Sequence, residues 1–130
     1  LLLNDGRGVF APAPEAWQPR MSEQSNFTVQ AFDVDRDGDV DIVAPSTVFG
    51  RAAGEYRVLL NDGRARFSLA AAGTVLPADV NGNGFDVEVA DFDADGRADL
   101  FLCNRASVDG DAAGSGGLQR LLLATGSPRG

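Results

Sequence analysis

One ten-residue pattern occurs twice in this chain and half-occurs a third time, and that repetition confines the chain to a repeat architecture before any strand or helix is assigned. Leu1-Leu2-Leu3-Asn4-Asp5-Gly6-Arg7-Gly8-Val9-Phe10 returns 57 positions later as Val58-Leu59-Leu60-Asn61-Asp62-Gly63-Arg64-Ala65-Arg66-Phe67. Leu121-Leu122-Leu123-Ala124-Thr125-Gly126 is an eroded third copy. Between these copies, Asp33-Val34-Asp35-Arg36-Asp37-Gly38-Asp39-Val40-Asp41-Ile42 matches Asp91-Phe92-Asp93-Ala94-Asp95-Gly96-Arg97-Ala98-Asp99-Leu100 at an offset of 58. The two motifs keep one period, so they belong to one repeating unit.

A unit of that length made of short apolar strings and Asp-Gly turns, with no 3.6-residue periodicity, has the size of a four-stranded propeller blade with generous loops. The spacing predicts an all-β chain of β-propeller blades with four antiparallel strands, A to D, and about two to three blades present. Strand A is expected at Phe27 to Phe32, B at Val40 to Ala44, C at Tyr56 to Leu60 and D at Arg66 to Leu69. The Asp62-Gly63 pair signals the C–D hairpin. The next unit repeats the pattern at Val87 to Phe92, Ala98 to Asn104 and Leu118 to Leu123. Residues 1–12 then read as strands C and D of a preceding blade, 25–72 as a complete blade with an Asp loop at 33–41, and 84–126 as strands A to C of the next with a loop at 91–99. Strings apolar on successive residues, such as Leu1-Leu2-Leu3 and Leu100 to Cys103, suit strands covered on both faces. Partial blades around a whole one do not close a ring, so further blades of a longer chain, or further copies pairing head to tail through terminal strands, are the expected partners.

The Asp loops carry the chemistry. Carboxylates at loop positions one, three, five and nine converge when Gly at position six permits a sharp reversal, and the carbonyl of position seven adds an oxygen. The first loop offers Asp33, Asp35, Asp37 and Asp41 with the carbonyl of Asp39, and the second offers Asp91, Asp93, Asp95 and Asp99 with the carbonyl of Arg97. An all-oxygen set suits Ca²⁺, and suits Mg²⁺ less well because Mg²⁺ retains water and demands a tighter octahedron. Two Ca²⁺ sites are expected, the first tighter because Asp39 stands where the second loop has Arg97. Four carboxylates packed together without a cation repel one another, so the ion is expected to help fold the blade.

What the chain lacks narrows the function further. It contains no His, and all eleven basic residues are Arg. That removes Ser/His/Asp and Cys/His nucleophile systems, His-ligated zinc, Schiff-base chemistry and a Walker lysine. A formal charge of −8 and a sequence pI near 4.3 disfavour nucleic acid and anionic membrane as partners. No run approaches the length of a membrane span. The single cysteine, Cys103, cannot form an internal disulfide and reads as a small hydrophobe.

The shared opening Asp-x-Asp-x-Asp-Gly resembles an EF-hand, but position twelve is Ala44 or Leu102 instead of Glu and the flanks are strands. Both Asp loops, together with the repeated Leu-Leu-Asn-Asp-Gly string, instead resemble the FG-GAP/VCBS repeat family, related to the propeller of integrin α subunits. Each loop matches that family's Asp-x-Asp/Asn-x-Asp-Gly-x-x-Asp pattern at every ligand position. The resemblance implies Ca²⁺ ligation by those residues and an extracellular or cell-surface propeller that serves as a binding or adhesion platform for protein or glycan. It equally implies a module attached to a secreted enzyme, a non-catalytic scaffold whose active residues lie elsewhere. The chain itself is expected not to be an enzyme.

Three weaker signals complete the reading. Asp79-Val80-Asn81-Gly82-Asn83-Gly84-Phe85-Asp86 opens like a third ion loop but has Val87 at position nine, which favours a Gly/Asn-rich connection. Asn26-Phe27-Thr28 is a glycosylation sequon that matters only in a eukaryotic secretory context. Trp17 could stack on a sugar, although a Trp filling a gap beside a blade is the commoner case.

Overall fold

A computed structural model describes residues 1–14, 17, 19, 28–45, 56–77, 80, 84–104 and 119–125. Within them lie nine strands: β1 (Leu2–Asn4), β2 (Phe10–Pro12), β3 (Gln30–Phe32), β4 (Asp41–Pro45), β5 (Tyr56–Asn61), β6 (Phe67–Leu69), β7 (Gly84–Ala90), β8 (Asp99–Asn104) and β9 (Arg120–Leu122). They form three antiparallel sheets, β1-β2, β3-β4-β5-β6 and β7-β8-β9. The all-β architecture predicted from the repeats is the one observed, and no helix among the described residues is long and apolar enough to cross a membrane.

Strand boundaries differ from the expected ones by one to three residues, for local reasons. β4 begins at Asp41, one residue late, because Val40 is still in the loop. It runs on to Pro45, opposite Tyr56, where the end of the β4–β5 ladder makes a missing N–H harmless. β7 begins three residues early, at Gly84, across an irregularity that shifts its register against β8 between Gly84 and Asp86. Glycine is the residue such a bulge accepts.

The core lies between the second and third sheets. Val43 and Val58 from the four-stranded sheet meet Val87, Leu100 and Leu102 from the three-stranded sheet, and Tyr56 closes the cluster. Val43, Val87 and Leu102 are fully buried, and each such side chain contributes roughly 1.5–3 kcal/mol. The Tyr56 hydroxyl spans the two sheets, donating to the carbonyl of Cys103 at 3.2 Å and to Asn104 Oδ1 at 3.1 Å. Burial pushes its phenol well above the ordinary range. Gly84 sits in the same joint. A Cβ built there would come within 2.6 Å of Pro45 Cβ and 2.9 Å of Tyr56 Cζ, so the sheets approach this closely only because position 84 has no side chain.

Burial divides the apolar strings. Leu100 and Leu102 are covered as expected, but Leu1, Leu2, Val9 and Phe10 of the first sheet are exposed, because no described element packs over β1-β2. Cys103 is half-buried and unpaired, with its thiol pushed up by burial and by Asp86 and Glu88, which makes it a poor nucleophile.

Candidate metal centre

Each Asp loop links a strand A to a strand B, from β3 to β4 and from β7 to β8. The reversal uses two left-handed residues per loop, Arg36 (φ 66°) and Gly38 (φ 97°) in the first, Ala94 (φ 61°) and Gly96 (φ 83°) in the second. The glycines were legible in the sequence. The left-handed residue at position four was not, because Arg and Ala carry no such signal.

The loops hold their shape by folding carboxylates back onto their own amides. Asp33 accepts from the N–H groups of Asp37 and Gly38 at 3.1 and 3.0 Å, and Asp91 accepts from Asp95 and Gly96 at 3.0 and 2.8 Å. Asp37 accepts from the Asp39 amide, and Asp93 from the Asp95 amide. The result is a ring of acids. Ligand oxygens of Asp33, Asp35 and Asp37 lie within 4.8 Å of one another, as do those of Asp91, Asp93 and Asp99.

Asp35 stands apart. Its Oδ1 is buried and has no hydrogen-bond partner, and its carboxyl is raised above the ordinary value by burial and by the charges of Asp37, Asp41 and Asp33. A buried, unpartnered carboxylate oxygen facing other carboxylates is an acceptor set of the kind that a hard divalent cation satisfies. The residues present therefore fit the ion that the loop pattern implies.

The remaining candidate ligands are placed differently. The Asp39 carboxylate lies against the C–D turn, where a Cβ on Gly63 would meet its Oδ2 at 2.7 Å. Asp41 is fully buried and accepts from the amides of Val34 (3.0 Å) and Asn61 (2.8 Å). Asp95 is engaged by its neighbour, receiving both the Arg97 amide and an ion pair from the Arg97 guanidinium. Asp99 accepts from Phe92 at 2.9 Å and Ala124 at 2.7 Å, and these bonds, that of Ala124 foremost, hold its carboxyl below the ordinary value.

The Asn-Asp-Gly turn has a second role that its spacing does not reveal. Besides its amide bond to Asp41, Asn61 donates from Nδ2 to the Val40 carbonyl at 3.0 Å, so the C–D turn braces the A–B loop. The shared period of the two motifs was the available signal. Trp17 has the Arg66 guanidinium 5.7 Å from its ring centroid, a cation–π contact that engages the ring within the protein. Asn26, Asp79 and residues 81–83 lie outside the described residues, and with them the sequon and most of the third acidic string.

Among known proteins, a family model described as FG-GAP-like repeat matches residues 47–102. That span runs from the connection before β5 through most of β8 and includes the whole second Asp loop. No curated protein and no solved structure matches the chain.

Proposed function

Starting from a chain that carries an FG-GAP-like repeat, a β-propeller-type repeat module, we propose that it is a calcium-binding, non-catalytic propeller segment. Asp33, Asp35 and Asp37 hold one Ca²⁺ with the carbonyl of Asp39, and Asp91, Asp93 and Asp99 hold a second with the carbonyl of Arg97. Asp41 and Asp95 add carboxylate lone pairs not used by their present partners. The ion neutralises the ring of like charges and fixes the A–B loops. The observation that carries this reading is the gathering of three carboxylates within 4.8 Å in each loop, at positions one, three and five of the first and one, three and nine of the second, with Asp35 Oδ1 buried and unpartnered.

The module serves outside the cell as a platform for a protein or glycan, alongside neighbouring blades. Affinity on the order of 10⁻⁴ to 10⁻³ M, typical of extracellular modules, suits a constitutive structural ion. Thermal melts of the 130-residue chain with EGTA and with millimolar CaCl₂ test the proposal. Calcium should raise the midpoint by several degrees, and an unchanged midpoint would refute it.

A further inference from the structure

Asp41 and Asp99, at position nine of the two loops, were expected to be ion ligands like the rest, yet their surroundings differ from those of every other loop acid. Asp41 is 0% exposed and Asp99 1%. In each, one oxygen accepts the amide of position two of its own loop, Val34 or Phe92. The other accepts the amide of the residue that follows the Leu-Leu pair of strand C, Asn61 or Ala124. All four bonds are 2.7–3.0 Å long and charge-assisted. One carboxylate thus ties loop entrance to loop exit and both to strand C.

The eroded third repeat separates this arrangement from the Asn side chain. Ala124 cannot make the Nδ2 bond that Asn61 makes to Val40, yet its backbone bond to Asp99 is present. The first turn provides the converse case. No Asp loop packs beside Asn4 among the described residues, and its Oδ1 accepts the amides of Gly6 and Gly8 in its own turn.

We infer that Asp41 and Asp99 are latches: positioning residues that hold each Asp loop against its own strand C whether or not an ion is bound. They preorganise the other carboxylates of each loop and so raise ion affinity beyond what any oxygen of their own lends to the ion. This role is separable from ligation, because it persists when calcium is removed.

The test uses the whole chain in EGTA. Amide exchange of Val34, Asn61, Phe92 and Ala124, followed by NMR, should be slowed at least about tenfold relative to exposed turn amides such as Gly63 and Ala94. Exchange as fast as those turn amides overturns the latch, and this holds even if no variant folds. Asp41→Asn should lower the midpoint by roughly 5–10 °C in EGTA and by more than that in calcium, where the loosened site also holds the ion less tightly. It should also speed exchange at Val34 and Asn61 while leaving Val87 protected. A loss seen only in calcium would make Asp41 a ligand and nothing more, while leaving the calcium reading intact. Conversely, protected amides with no calcium response would uphold the latch and remove the ion.

Discussion

Replacing Asp35 by Asn keeps the side chain's shape and removes one charge from the first loop, and the consequence should change sign with calcium. In EGTA the carboxylate of Asp35 faces those of Asp33 and Asp37 within 4.8 Å. Unit charges at that range repel by about 0.9 kcal/mol per pair at the dielectric of water, and salt reduces this. Relieving two such pairs returns on the order of 1 kcal/mol. In calcium the variant forfeits the first site, which at about 10 mM ion and a dissociation constant of about 10⁻⁴ to 10⁻³ M stabilises by about 1.4–2.7 kcal/mol. For a chain of this length 1 kcal/mol moves the midpoint by about 4 °C. Scanning calorimetry should therefore find the variant melting about 4 °C above the parent in EGTA and roughly 2–7 °C below it in 10 mM calcium. A variant that melts lower in both by the same amount would refute the electrostatic account, and a calcium shift equal to the parent's would refute ligation by Asp35.

Three further outcomes are expected. Gly84→Ala places a Cβ 2.6 Å from Pro45 and 2.9 Å from the Tyr56 ring, which is tethered by its hydroxyl to the next sheet; overpacking of this kind costs about 1–3 kcal/mol, and urea unfolding with an unchanged midpoint would contradict the close approach. Arg97→Ala frees Asp95 from its ion pair and should tighten the second site roughly two- to fivefold by calorimetry with the first unchanged; the parent's first site should remain the tighter of the two. Acid titration in EGTA reports on Asp99. Its folded carboxyl sits below the ordinary 3.8, so its contribution is present above that value and is lost as pH falls through the depressed one, and Asp99→Asn should flatten that acid limb.

Much of this was legible because repeats supply their own alignment. The strands that pack between the second and third sheets, from Val43 to Leu102, follow from apolar strings punctuated by Asp-Gly turns. The convergence of Asp33, Asp35 and Asp37 follows from a spacing that glycine at position six makes foldable. What stayed hidden depended on contacts between motifs. Nothing in Asp41 distinguishes an acid that faces its fellow carboxylates from one that buries itself on backbone amides, since the pattern assigns positions one, three, five and nine the same chemistry, and the pattern, which uses Asp39 for its carbonyl, does not place the Asp39 carboxylate against Gly63. The pattern uses Arg97 for its carbonyl, whereas its guanidinium takes a candidate ligand, Asp95. By sequence Gly84 belongs to a Gly/Asn-rich connecting string, while the structure makes it a point where two sheets touch.

The bonds that close the first loop all come from within one sheet: Asn61 and its amide, the Val40 carbonyl, and Asp41. By contrast, the joint at Tyr56, Gly84 and Asn104 crosses between sheets and involves neither loop directly. The bracing of the loop is thus contained within its own four strands, although Val34 of the loop also packs against the core between the sheets. A gene encoding such units can duplicate, delete or shuffle them at the D-to-A connection and deliver each Asp loop with its bracing intact. A breakpoint between strands B and C would instead separate Asp41 from Asn61. Recombination, natural or engineered, is expected to be tolerated at the first kind of junction and not at the second.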